Sequence, residues 1–136
     1  MADVYISQLW MDTLCIKLNS DPRYAQIARN WEGDMAIIVE PAGDLKESLF
    51  IYLDLWHGAC RNAKLVPGLE GMNAAFTLTA TYDDITKILT GKLDPMQAMM
   101  IRKLRVQGSM AYMMRNVPTV LDFVRVAREV TNQILS

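Results

Sequence analysis

The stretch Gly91-Lys92-Leu93-Asp94-Pro95-Met96-Gln97-Ala98-Met99-Met100, followed by Lys103-Leu104-Arg105-Val106-Gln107-Gly108-Ser109-Met110, passes through turn, helix, strand, turn and helix in quick succession. Gly91 stops the element before it, since glycine adopts left-handed dihedrals at no steric cost. Asp94 is placed as a cap, and Pro95 falls at the first helical position, where its missing N–H costs nothing. The helix through Met96, Met99 and Met100 is therefore short. Leu104 to Gln107 alternates apolar and polar side chains, which predicts a strand ending at Gly108. Met110, Met113 and Met114 then open another helix.

Working outward toward the N-terminus, Asp83 and Asp84 begin a short helix that carries Ile85, Ile88 and Leu89. Ala74 to Ala80 reads as a strand with Phe76 and Leu78 pointing the same way, and Cys60 to Val66 as a weaker one closed by Pro67-Gly68. Met35 to Val39 and Leu49 to Leu55 flank the turn cluster Pro41-Ala42-Gly43-Asp44, which predicts a hairpin. In the second run Leu49, Ile51, Leu53 and Leu55 share one face, while Phe50, Tyr52, Asp54 and Trp56 share the other. That pattern places the strand at the centre of the sheet, and the four strands read as antiparallel. Within Val4 to Leu18, Ile6, Leu9, Trp10 and Leu14 recur at helical spacing, and Ser20-Asp21-Pro22 starts a second helix with the stripe Tyr24, Ile27, Ala28 and Trp31. At the other end, Pro118 precedes a long amphipathic helix carrying Val120, Leu121, Val124, Ala127 and Val130. The expected order is ααββββααβαα, an α+β fold with a five-stranded, mostly antiparallel sheet.

Length and composition bound the rest. With 136 residues, 51% of them hydrophobic and 21% charged, the chain is expected to form one domain over residues 1–136, with a core that needs neither disulfides nor metal. A net charge of -1 argues against a nucleic-acid partner. Cys15 and Cys60 match no zinc or CxxC spacing, so a reducing compartment is the default. Neither a secretory leader nor a membrane-spanning run is read in the sequence. Residues 1–82 hold six basic and ten acidic side chains and residues 83–136 hold eight and five, so the C-terminal part is mildly cationic.

The opening segment, in order and spacing, resembles the signature of the sterol carrier protein type 2 family: a Gly-Lys-Leu-Asp-Pro turn, a short helix, an apolar and basic strand, and a glycine leading into a Met-rich helix. Phe76-Thr77-Leu78-Thr79-Ala80-Thr81-Tyr82-Asp83 is similar to that family's fourth strand and the start of its next helix. The resemblance thus covers roughly residues 20 to 130. Asp54-Leu55-Trp56-His57-Gly58-Ala59-Cys60-Arg61 looks like the small stand-alone prokaryotic members. The resemblance implies helices packed on a five-stranded sheet and an apolar tunnel that binds fatty acids, fatty acyl-CoA or sterol-like lipids without catalysis or a cofactor. It also implies lipid as the partner, with transient contact at a membrane surface and a homodimer as a further expectation. The chain ends Ile134-Leu135-Ser136 rather than in a peroxisomal tripeptide, which leaves the cytoplasm as the expected location.

Met96, Met99, Met100, Met110, Met113 and Met114 cluster around one strand, and unbranched thioethers suit a cavity that takes apolar chains of several shapes. The expected tunnel wall comprises Phe76, Leu78, Leu93, Met96, Met100, Leu104, Met110, Met113 and Phe123. Met100, one turn after Met96, is expected to face the same apolar space as Met110 and Met113. Lys87, Lys92, Arg102, Lys103, Arg105 and Arg115 can receive an anionic head group, or can simply be solvated. His57 is the only histidine, without a second histidine or cysteine pair for zinc and without a Gly-x-Ser-x-Gly elbow, so a structural role at a strand end and no catalytic or metal site are expected. The alternative is a structural or interaction module whose tunnel is filled by its own side chains, with Trp10, Trp31 and Trp56 as candidate anchors for a partner.

Overall fold

The computed structural model describes residues 4–136. The elements follow the expected order: α1 (Gln8–Ser20), α2 (Pro22–Ile27), β1 (Met35–Glu40), β2 (Leu49–Trp56), β3 (Ala59–Val66), β4 (Phe76–Thr81), α3 (Tyr82–Leu89), α4 (Pro95–Met100), β5 (Arg105–Gln107), α5 (Met110–Arg115) and α6 (Val117–Leu135). Local chemistry sets the helix starts. Ser7, Asp21, Thr81, Asp94 and Ser109 each accept a hydrogen bond from a first-turn N–H, that of Trp10, Tyr24, Asp84, Gln97 and Tyr112 respectively. Capping by Ser7 starts α1 at Gln8, later than Val4. The buried face of this helix is Trp10, Met11, Leu14 and Leu18, and Leu9 is turned to solvent.

The sheet order is β3-β2-β1-β4-β5. β1 pairs antiparallel with β2, β2 with β3, and β4 with β5, whereas β1 and β4 run parallel. Two expectations are corrected here. The four strands are not all antiparallel, because residues 67–75 carry the chain from the outer strand β3 across the sheet to the far side of β1. The central strand is β1 rather than β2, whose second face is only half covered: Tyr52 lies under Lys64, and Arg61 pairs with Asp54 while its guanidinium sits 5.0 Å from the Trp56 ring.

Helices cover the other face of the sheet. There the registered rows Ile51–Ile37–Leu78 and Leu53–Met35–Phe76 form the inner face, with α1 packed on β3, α3 on β1 and β4, and α6 on α1, α2 and α3. Met11, Leu14 and Leu18 are fully buried between them, each worth roughly 1.5–3 kcal/mol relative to exposure. The β2–β3 turn is His57-Gly58. Gly58 has φ of 82°, and a Cβ there would sit 2.7 Å from the Ala25 carbonyl oxygen, so the turn seats against the end of α2 only with glycine. His57 donates its backbone N–H to the Trp31 carbonyl at 2.7 Å, stacks on Trp56, and places Nε2 2.6 Å from Glu32 Oε2. These contacts give it a structural place at the strand end.

Candidate functional site

Between the sheet and the helices lies an apolar cavity of about 110 Å³, several times the roughly 10–15 Å³ that admits one water. Its floor is Ile37, Ile51, Leu53 and Leu78 from the sheet. Trp10, Tyr24 and Trp31 close the side toward the N-terminal helices. Ile88, Met99, Leu104 and Met113 also line the space, and Val120, Phe123, Val124 and Ala127 of α6 form the roof. Among these, Ile37 in the floor and Met99, Val120, Phe123 and Val124 on the helical side are only partly buried, so the helical wall is thinnest at those four.

Both indoles and the threonine hydroxyl of the wall are engaged away from the space. Trp10 donates its indole N–H to Thr131 Oγ1 at 3.1 Å, and Trp31 donates to the Gly33 carbonyl at 2.8 Å. Thr119 donates its hydroxyl to the Ile27 carbonyl at 3.3 Å. Burial raises the Tyr24 phenol well above its ordinary pKa, so that side chain stays neutral. The chamber therefore offers apolar surface and no charge, which suits an aliphatic or ring hydrocarbon and no acid–base chemistry.

A second, more polar cleft of about 340 Å³ is lined by Thr79, Arg102, Arg105, Val106, Gln107 and Met110, and it shares Met99 and Leu104 with the cavity. Arg105 is paired with Glu40. Arg102 has φ of 63° and, among the described residues, no ion-pair partner within 4 Å. Beside this cleft Met100, Ile101, Met110 and Met114 are exposed.

Of the residues expected to form the wall, the structure brings Leu78, Leu104, Met113 and Phe123 together around the cavity. Phe76 is buried one row farther along β4 and packs its ring against Trp31 and Tyr112, with centroids 5.4 and 5.9 Å away. Leu93 and Met96 are half-buried outside the lining, and Met110 borders the cleft instead. Met100 is 82% exposed, so it does not share the apolar space of Met113. The reason is angular: Pro95, Ala98 and Met99 turn inward, and at about 100° per residue this sends Met100 to the far side of α4. Sequence reasoning did not assign Trp10, Tyr24 and Trp31 to the wall, although their helical spacing had already marked them as an apolar stripe.

A model described as the SCP-2 sterol transfer family matches residues 12–120. A search of the curated proteins finds no match. The chain is similar to a crystal structure of sterol carrier protein 2 at 34% identity and TM-score 0.81, covering 93% of this chain and 98% of that one. It is equally similar to the solution structure of a conserved hypothetical protein of Thermus thermophilus, described as a candidate sterol carrier protein, at 34% identity and TM-score 0.82, covering 94% of this chain and 90% of that one. Apo sterol carrier protein 2 of Yarrowia lipolytica shares the fold at 17% identity and TM-score 0.61, covering 94% of this chain and 96% of that one. With the family signature, the five-stranded mixed sheet and the apolar chamber all in place, the chain belongs to the SCP-2 sterol transfer family, whose members bind and transfer lipids.

Proposed function

We propose that this chain is a single lipid-binding domain that carries one hydrophobic molecule, a fatty acid, fatty acyl-CoA or sterol-like lipid, without chemically changing it. The observation that carries the reading is the chamber itself, in which the Trp10 and Trp31 indoles and the Thr119 hydroxyl are bonded away from the space and the lining side chains carry no charge. At about 110 Å³ the chamber is smaller than the roughly 300–1,000 Å³ of pockets that take drug-sized ligands. Outward rotation of Met99 and Phe123, both partly buried, would join it to the cleft and open the tunnel expected of the family. In this reading Leu78, Leu104, Met113 and Phe123 hold the apolar chain, and Arg102 meets a carboxylate or phosphate head group. Burying about ten methylenes at ~0.8 kcal/mol each exceeds an association cost of several kcal/mol and supports micromolar binding.

Loading at a bilayer accounts for the exposed Met100, Ile101, Met110 and Met114 beside Arg102 and Lys103, apolar side chains for the interface and cations for anionic lipid. Among the described residues no helix is long and apolar enough to cross a membrane. The two unbonded thiols fit a reducing, cytoplasmic setting. Native mass spectrometry of the purified chain tests the reading: the expected spectrum contains a fraction with one lipid-sized adduct that survives gentle ionisation. A ligand-free homodimer, or a stoichiometric protein partner with no lipid, would favour the interaction module instead.

A further inference from the structure

We propose that Cys15 and Cys60 are a reversible redox pair that closes into an intramolecular disulfide and ties α1 to an outer strand of the sheet. Nothing in their sequence spacing suggests pairing, yet the two sulfurs lie 2.6 Å apart, against about 2.05 Å in a disulfide. Asn19, one turn beyond Cys15, holds them in this position. Its side-chain amide donates to the Cys60 carbonyl at 2.8 Å, and its oxygen accepts the Cys60 backbone N–H at 2.8 Å. Bond formation therefore asks the two sulfurs to close by only about 0.5 Å. Neither cysteine lines the cavity or the cleft, so carrying a ligand makes no use of them.

The two thiols differ in access. Cys15 is half-buried and Cys60 buried, and burial together with the Cys15 thiol beside it pushes the Cys60 thiol well above its ordinary pKa. A low-molecular-weight disulfide is a suitable oxidant. The Cys15 thiolate attacks one of its sulfurs, that S–S bond breaks, and the first small thiol leaves with a proton from solvent. Cys60 then gives up its proton and attacks the Cys15 sulfur of the mixed disulfide, expelling the second small thiol, which takes up a proton. The cysteine pair loses two electrons and the small disulfide gains them. Because α1 contributes Trp10 to the chamber, the bond would pin one wall; this consequence for ligand exchange rests on the carrier reading, whereas formation of the bond does not.

The test uses the intact chain, oxidised with glutathione disulfide, quenched with N-ethylmaleimide, and followed by intact mass spectrometry and thermal unfolding. The expected product is a monomer lighter by two hydrogens that carries neither maleimide nor glutathione. Its melting temperature should rise by roughly 5–15 °C and return on addition of dithiothreitol. Cys15→Ser should show neither change. An unchanged mass, a persistent glutathione adduct or a disulfide-linked dimer from the wild-type chain would overturn the pairing. A loss of two hydrogens with no thermal shift would overturn the clamp. No lipid enters this assay, so either failure leaves the carrier reading to its own test.

Discussion

Asp21 joins three parts of the chain through one carboxylate. It caps α2 by accepting the Tyr24 N–H at 2.9 Å and accepts Arg125 Nη2 of α6 at 2.9 Å, while Arg125 also binds Asp122 and Glu129. The Arg125 hydrogen bond, and after it the Tyr24 N–H, hold the Asp21 carboxyl below the usual carboxylate range. A lowered folded pKa means that the stabilisation is fully present above the ordinary value of ~3.9 and is lost as pH falls through the folded value. Asp21→Asn should therefore cost about 1–2 kcal/mol at pH 7, and the gap to wild type should narrow below about pH 4. Urea midpoints measured across that range check the sign, and a gap independent of pH would contradict it. Asp21-Pro22 and Asp94-Pro95 were legible in the sequence because a cap is a local interaction between a side chain and the next turn. The outward position of Met100 was not, since clustered methionines say nothing about which side of a short helix meets the core.

Among the elements, β3 is one of the two outer strands, and its free edge is occupied by side chains of α1 rather than left open. Gln8 donates to the Ala63 carbonyl at 3.2 Å and accepts the Leu65 N–H at 3.1 Å, and Asn19 does the same for both backbone groups of Cys60 at 2.8 Å. Unpaired edge groups invite pairing with another chain, so these two amides guard the sheet. Replacing both Gln8 and Asn19 by Ala should lower stability by about 1–3 kcal/mol and promote self-association with rising concentration. Urea titration and sedimentation velocity report the two effects, and a monodisperse double variant of wild-type stability would show that the amides are incidental. The element order was readable because caps, prolines and glycines punctuate the chain at nearly every boundary. The parallel β1–β4 pairing was not, because a strand's alternation records which face is buried and not which neighbour it meets, and residues 67–75 are too many to force a hairpin.

At the scale of the whole molecule, the chamber, the Arg102 cleft and the exposed Met and Ile side chains are arranged in sequence from interior to surface. Part of that arrangement was legible: Leu78, Leu104, Met113 and Phe123 belong to the wall that the family resemblance led one to expect, whereas the contribution of Trp10, Tyr24 and Trp31 depends on packing between elements distant in sequence. If the outer end docks on bilayers, association with vesicles containing anionic lipid should fall severalfold between about 50 and 300 mM salt. Met100→Asp should weaken it further at any salt, and equal sedimentation with neutral and anionic vesicles would contradict a cationic docking face. The chamber itself is best tested by titrating a fluorescent polyene fatty acid into the wild-type chain, Met100→Trp and Val124→Trp. Val124 lies in the thin, partly buried roof, so an indole there should fill the space a ligand would take, while an indole at exposed Met100 should leave it free. The expected result is saturable, roughly micromolar binding to wild type and Met100→Trp, displaced by unlabelled acyl chains, and at least about tenfold weaker binding to a folded Val124→Trp. Absence of saturable binding to the wild-type chain, or undiminished binding to Val124→Trp, would show that the chamber is not where a lipid is carried.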